Sequence, residues 1–75
     1  MKEIVEFVAK SIVNAPGDVV VTEETNERGV LIKLQVAAED KGRVIGKQGK
    51  VAEAMRTLLR VAAARAGTRV TLEIV

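Results

Sequence analysis

The chain has 75 residues, one domain's worth and close to the lower limit at which a single core sustains a fold. Hydrophobic residues make up 48% of it, which marks a folding sequence; the absence of cysteine and histidine removes disulfides, thiolate ligands, a cysteine nucleophile, and the commonest base and metal ligand. A formal net charge of +2 is too small to point to a partner by itself.

Ile4, Val5, Val8 and Ile12 recur at helical spacing with Phe7 and Ser11 flanking, so residues 2–14 are expected to form a helix with one apolar stripe. Its charges at Lys2, Glu3, Glu6 and Lys10 fit an amphipathic helix rather than a leader. No apolar run approaches the ~20 residues that span a bilayer, so no membrane association is expected and a cytoplasmic setting is. Asn14-Ala15-Pro16-Gly17-Asp18 stops the helix. Val19-Val20-Val21-Thr22 is β-branched and predicts a strand, Asn26-Glu27-Arg28-Gly29 a turn. Val30, Ile32, Leu34 and Val36 then alternate with Leu31, Lys33, Gln35 and Ala37, the period of a half-buried strand pairing antiparallel with the first. Glu23, Glu24 and Glu27 are expected on a solvated hairpin edge, where charge discourages sheet-to-sheet association.

Glu39-Asp40 suits a helix N-terminus, and that short helix reaches Ile45 before Gly46 ends it. Val51, Met55, Leu58, Leu59, Ala62 and Ala66 predict the core face of a second helix, with Lys50, Glu53 and Arg60 outside and Gly67 as its stop. Val70, Leu72 and Ile74 alternate with Thr71 and Glu73 as a last strand. The expected order is helix–strand–strand–helix–helix–strand, a single α+β domain over 1–75 with three helices on one face of a three-stranded sheet.

Charge is distributed unevenly. Residues 1–40 carry four basic and eight acidic side chains, whereas residues 41–65 carry Lys41, Arg43, Lys47, Lys50, Arg56, Arg60 and Arg65 against Glu53 alone. Such a block on a nearly neutral chain suits a polyanion. Inside it lies Val44-Ile45-Gly46-Lys47-Gln48-Gly49-Lys50, two residues between glycines at the junction of two predicted helices. Glycines there admit backbone conformations that other residues resist and let another chain approach closely. The second helix offers unpaired N–H groups and its positive dipole end near Gly49 and Lys50, Lys47 and Lys50 add full charges, and Gln48 can donate to a phosphate or sugar oxygen. Arg43 and Arg56 lie within a turn or two. Other phosphate loops fail on spacing: three residues separate Gly42 from Gly46 where a Walker A loop needs four, and Gln48 follows Lys47 where that loop needs Ser or Thr. The dinucleotide fingerprint needs a glycine where Val44 stands.

With its GXXG turn and this element order, the chain resembles the K-homology (KH) family, in the type II arrangement of prokaryotes and close to the small stand-alone KH proteins of bacteria. The resemblance covers essentially the whole chain. It implies a protein binding single-stranded RNA, an RNA chaperone or post-transcriptional regulator that clamps about four nucleotides at Gly46-Lys47-Gln48-Gly49. It also implies an aliphatic-floored groove between the central helices, the loop and a strand edge, which suits a chain whose one aromatic residue, Phe7, lies on the first helix. Val36, Val44 and Ile45 are candidates for that floor and for the core, with Ile45 favoured for the core. The family often has a larger aliphatic where Ala52 stands, so a shallower groove with modest affinity and loose sequence preference is expected. The RNA-binding set is Gly46, Lys47, Gln48, Gly49, Lys50, Arg43, Ile45, Val44 and Arg56, with no cofactor and no metal. A second reading is a protein-interaction module, a homodimer half or partner of a second KH-containing protein, motivated by Val61-Ala62-Ala63-Ala64. Catalysis is not expected, since no convergent groups are found.

Overall fold

The computed structural model describes all 75 residues. It contains helix α1 (Lys2–Ile12), strands β1 (Val20–Asn26) and β2 (Gly29–Gln35), the short helix α2 (Lys41–Ile45), the long helix α3 (Lys50–Ala66) and strand β3 (Val70–Ile74). Single 3-10 turns at Pro16–Asp18, Ala38–Asp40 and Lys47–Gly49 join them. The element order is the one expected from the sequence.

The strands lie in the order β1-β2-β3. β1 and β2 are antiparallel, with Val21 opposite Leu34 and Glu23 opposite Ile32, and the two-residue turn Glu27-Arg28 closes the hairpin. Asn26 Oδ1 accepts the Arg28 N–H at 2.8 Å, a local bond typical of Asn in turns. β3 runs parallel to β2, Ile32 opposite Leu72, so the α2–α3 segment is the crossover that a parallel pair requires. β2, the central strand, buries Ile32 and Leu34 completely.

The core joins Val5 and Ala9 of α1, Val21, Ile32, Leu34 and Leu72 of the sheet, Val36, Val44 of α2, and Met55 and Leu59 of α3. On α3 the buried residues are Ala52, Met55, Leu59 and Ala63. This differs from the face expected from periodicity. Val51 and Ala62 are half-buried, while Leu58 and Ala66 are exposed. Alanines at 52 and 63 are buried, and the larger Leu58 falls on the outer surface.

Two carboxylates accept backbone N–H groups far from them in the sequence, one of them the Glu23 expected on a solvated edge. Glu23 Oε1 accepts the backbone N–H of Lys2 at 3.1 Å, so an acid from the edge strand serves an unpaired donor at the start of α1. Asp40 is fully buried. Its Oδ1 accepts the N–H of Asn14 and its Oδ2 that of Ala15, each at 3.1 Å, fastening the chain beyond α1 to the start of α2. It makes no side-chain cap on α2, although the helix does begin right after Glu39-Asp40 as expected.

Candidate nucleic-acid interface

α2 ends at Gly46, which has φ 79° and ψ 170°, and α3 begins after Gly49, which has φ 75° and ψ 12°. Between them Gln48 also sits in the left-handed region, at φ 57° and ψ 26°. Three of four consecutive residues therefore hold positive φ, a sharp turn stitched by Gly46 N–H to the Gly42 carbonyl at 2.8 Å and Gly49 N–H to the Gly46 carbonyl at 3.1 Å. The two glycines do different work. A Cβ on Gly46 would overlap the Val51 side chain and stand 2.8 Å from its backbone nitrogen, so this glycine lets the turn fold back on α3. A Cβ on Gly49 would meet nothing within 4 Å, so that side of the turn is open.

No side chain caps the N-terminus of α3. Its first N–H groups and the positive end of a 17-residue helix dipole lie beside that open side. Lys47, Gln48 and Lys50 are exposed, and neither lysine forms an ion pair. Aligned donors and unneutralised cations make this end of α3 suited to an anion.

The remaining candidate residues separate. Ile45 is 40% exposed, not in the core, and presents an aliphatic surface immediately before Gly46. Val44 has no exposed surface and Val36 only 6%; both pack in the core. The helix turns 100° per residue, so only one of the adjacent pair Val44-Ile45 can face inward. Arg43 Nε lies 3.6 Å from Asp40 Oδ1, which partly neutralises its charge. Arg56 is half-buried and lines a hollow of about 130 Å³ between α3 and β3, together with Leu59, Arg60, Val70, Thr71 and Leu72. This hollow begins about 10 Å along α3 from Gly49 at 1.5 Å per residue.

The floor of that hollow is aliphatic, but it is built by Leu59 and Leu72 rather than by Val36 and Val44. Ala52 is buried and does not line this hollow. Arg60 and Thr71 were absent from the expected set. Arg60 was legible as a cation one turn beyond Arg56; Thr71 was not, because only the tertiary pairing brings β3 beside α3.

An α+β sandwich whose two central helices meet at an open, cationic GXXG turn, beside a groove with an aliphatic floor, defines the KH class of single-domain modules. The sequence comparisons agree. A family model described as "KhpA/KhpB, KH domain" matches residues 2–74. The chain is 47% identical over 75 residues to an RNA-binding protein KhpA of Clostridium acetobutylicum, covering the whole of both. It is 43% identical over 74 residues to the KhpA of Treponema pallidum, covering 99% of this chain and 92% of that one. With the KhpA of Aquifex aeolicus it shares 46% over 74 residues, 99% and 94% of the two chains. The chain therefore belongs to the KhpA/KhpB family of KH-domain proteins, with the type II arrangement. No solved structure matches it. No helix is long and apolar enough to cross a membrane.

Proposed function

We propose that this protein binds single-stranded RNA, holding the sugar–phosphate backbone at Gly46-Lys47-Gln48-Gly49 and laying bases along the α3–β3 groove, and that it serves as an RNA chaperone or post-transcriptional regulator without catalysis. The turn carries the reading: Gly49 leaves open space at the N-terminus of α3, between two lysines free of ion pairs. Relatives that match over the full chain are named RNA-binding proteins, which supports the same assignment. Lys47 and Lys50 supply charge, Gln48 a donor, and Ile45 an aliphatic contact at the turn. Arg56 and Arg60 flank the groove, where a guanidinium can pair with phosphate or stack on a base.

Fluorescence anisotropy with short single-stranded RNA and DNA at two salt concentrations tests this. Neutralising three or four phosphates should weaken RNA binding on the order of 20–50-fold between 50 and 200 mM salt. The double variant Lys47→Asp/Gln48→Asp should lose at least tenfold in affinity while circular dichroism stays unchanged. Asp is among the residues that best tolerate the left-handed conformation at position 48. Equal binding by parent and variant would sink the loop assignment.

One observation favours a second role beside the first. Leu58 is 50% and Val61 51% exposed, and residues three apart on a helix are surface neighbours. This apolar pair on α3 suits self-association or pairing with a second KH-containing protein, which would enlarge a small RNA footprint through effective concentration. Sedimentation showing a strict monomer at high concentration would remove self-association.

A further inference from the structure

Asp40 makes a connection that an RNA-binding turn does not by itself require. Helix α1 ends with the Val13 N–H on the Ala9 carbonyl at 3.1 Å. The next two N–H groups, of Asn14 and Ala15, are accepted by the two oxygens of Asp40, each at 3.1 Å. This carboxylate has no exposed surface. Arg43 Nε, 3.6 Å from its Oδ1, supplies the opposite charge that a buried carboxylate needs. The segment it grips lies on the surface, with Asn14, Pro16, Gly17 and Asp18 all exposed.

Asp40 and the GXXG turn stand at opposite ends of α2. Gly46 follows the last residue of that helix and its N–H is bonded to the Gly42 carbonyl at 2.8 Å, so the direction of α2 sets where the turn lies. Of the five α2 residues only Val44 is buried. One buried side chain pins a short helix at a point and leaves it free to tilt. The second tie, at Asp40, lies about 6 Å along the axis from Val44 and fixes the direction. Apart from Arg43, no other side chain between residues 38 and 49 takes part in a hydrogen bond or an ion pair. A tilt about Val44 moves Asp40 and Gly46 in opposite senses, so loosening the tie at 14 and 15 displaces the turn.

We infer that Asp40 is a positioning residue that couples the exposed connection Asn14–Asp18 to the GXXG turn. Disturbing this connection weakens RNA binding from the far end of α2. Coupling of this kind is reciprocal, so RNA held at the turn steadies the N–H bonds of Asn14 and Ala15 by the same factor. A turn already held in its binding geometry loses less freedom when RNA arrives, which is what the tie contributes to affinity. This inference rests on the RNA-binding reading above.

The first arm of the test is amide exchange of the parent by NMR, free and saturated with an eight-nucleotide oligouridylate. The Asn14 and Ala15 N–H groups should exchange roughly five-fold or more slowly with RNA, the lower end of ordinary coupling between two sites. The Lys2 N–H, also accepted by a carboxylate, that of Glu23 at 3.1 Å, is the internal control and should not change. The second arm is anisotropy of the same oligonucleotide with Asp40→Asn, Ala15→Pro and Ile32→Val, affinities being compared at equal folded fraction. Asp40→Asn keeps one acceptor oxygen and loses the other. Ala15→Pro removes one donor, and its ring resists the φ of −117° at that position. Ile32→Val loosens the core on β2 without touching the tie. The first two should each lose roughly five-fold or more in affinity, and the third none. Should Asp40→Asn fail to fold by circular dichroism, Ala15→Pro and the exchange arm decide. Exchange at Asn14 and Ala15 unchanged by RNA, or Ala15→Pro binding as tightly as Ile32→Val, overturns the coupling and leaves the loop reading intact. A parent that binds no oligonucleotide overturns both.

Discussion

Gly46 and Gly49 have similar φ values but different surroundings, and substitution should separate them. Alanine at 49 meets open space and carries only the left-handed penalty, roughly 1–2 kcal/mol. Alanine at 46 meets a larger backbone penalty, because φ 79° with ψ 170° is a conformation almost restricted to glycine, and it also overlaps Val51 backbone and side chain, so Gly46→Ala should cost clearly more. Urea unfolding of the two variants checks the order; equal losses would mean that the turn at 46 and its contact with Val51 relax freely. The consequence for function runs the other way. Gly49→Ala leaves α3 in place but puts a methyl group where a strand must approach, so it should weaken RNA binding more than it weakens the fold. Gln48 adds a third left-handed residue to the turn, which nothing in its residue type announces.

At the scale of elements, α3 shows how packing selects among faces that periodicity leaves open. Leu58 and Leu59 are adjacent and chemically identical, yet Leu59 is 1% and Leu58 50% exposed. Leu59→Ala should therefore cost about 2–5 kcal/mol, and Leu58→Ala in dilute protein should stay within about 0.5 kcal/mol. Chemical denaturation of both is the check, and similar losses would place α3 in a different rotation. α2 is too short, at five residues, to be stable on its own, so its position depends on what holds it. Val44 anchors it from the core, and Asp40 ties its start to residues 14 and 15. Asp40→Ala removes the acceptor of two part-buried N–H donors and frees Arg43; a loss of about 1–3 kcal/mol is expected from the unfolding midpoint. The same variant should loosen α2 and so reduce RNA affinity, whereas Arg43→Ala alone, which keeps both N–H bonds, should change stability little.

For the molecule as a whole, the basic block of residues 41–65 becomes a directional feature. Lys47 and Lys50 stand at one end of α3, Arg56 and Arg60 along its β3 side, and Arg28 and Arg69 at the other end. Arg28 belongs to the acidic half of the sequence, and its place in this track comes from the sheet register that brings Gly29 under Arg69. Two of the acidic side chains are engaged elsewhere, Glu23 at the start of α1 and Asp40 at the start of α2, while Glu53 pairs with Arg60 on the same side as the basic groups.

Local chemistry was enough to write down the element order, the α+β class and the GXXG turn. Glycines, β-branched runs and charge blocks act through their immediate neighbours, and helix and strand periods are set by the backbone itself. Which side of each element would be covered was decided only when the elements packed. Ile45 and Leu58 went outward, Ala52 and Ala63 inward, Asp40 under the loop after α1, and Leu59 with Leu72 beneath the groove. These outcomes depend on contacts between residues far apart in the chain. A hydrophobic stripe more than one residue wide gives α3 several acceptable rotations, and the sheet and α1 select one. Arg28 and Arg69 follow the same rule: their types are visible in the sequence, but their two turns come side by side only through the parallel pairing of β2 with β3.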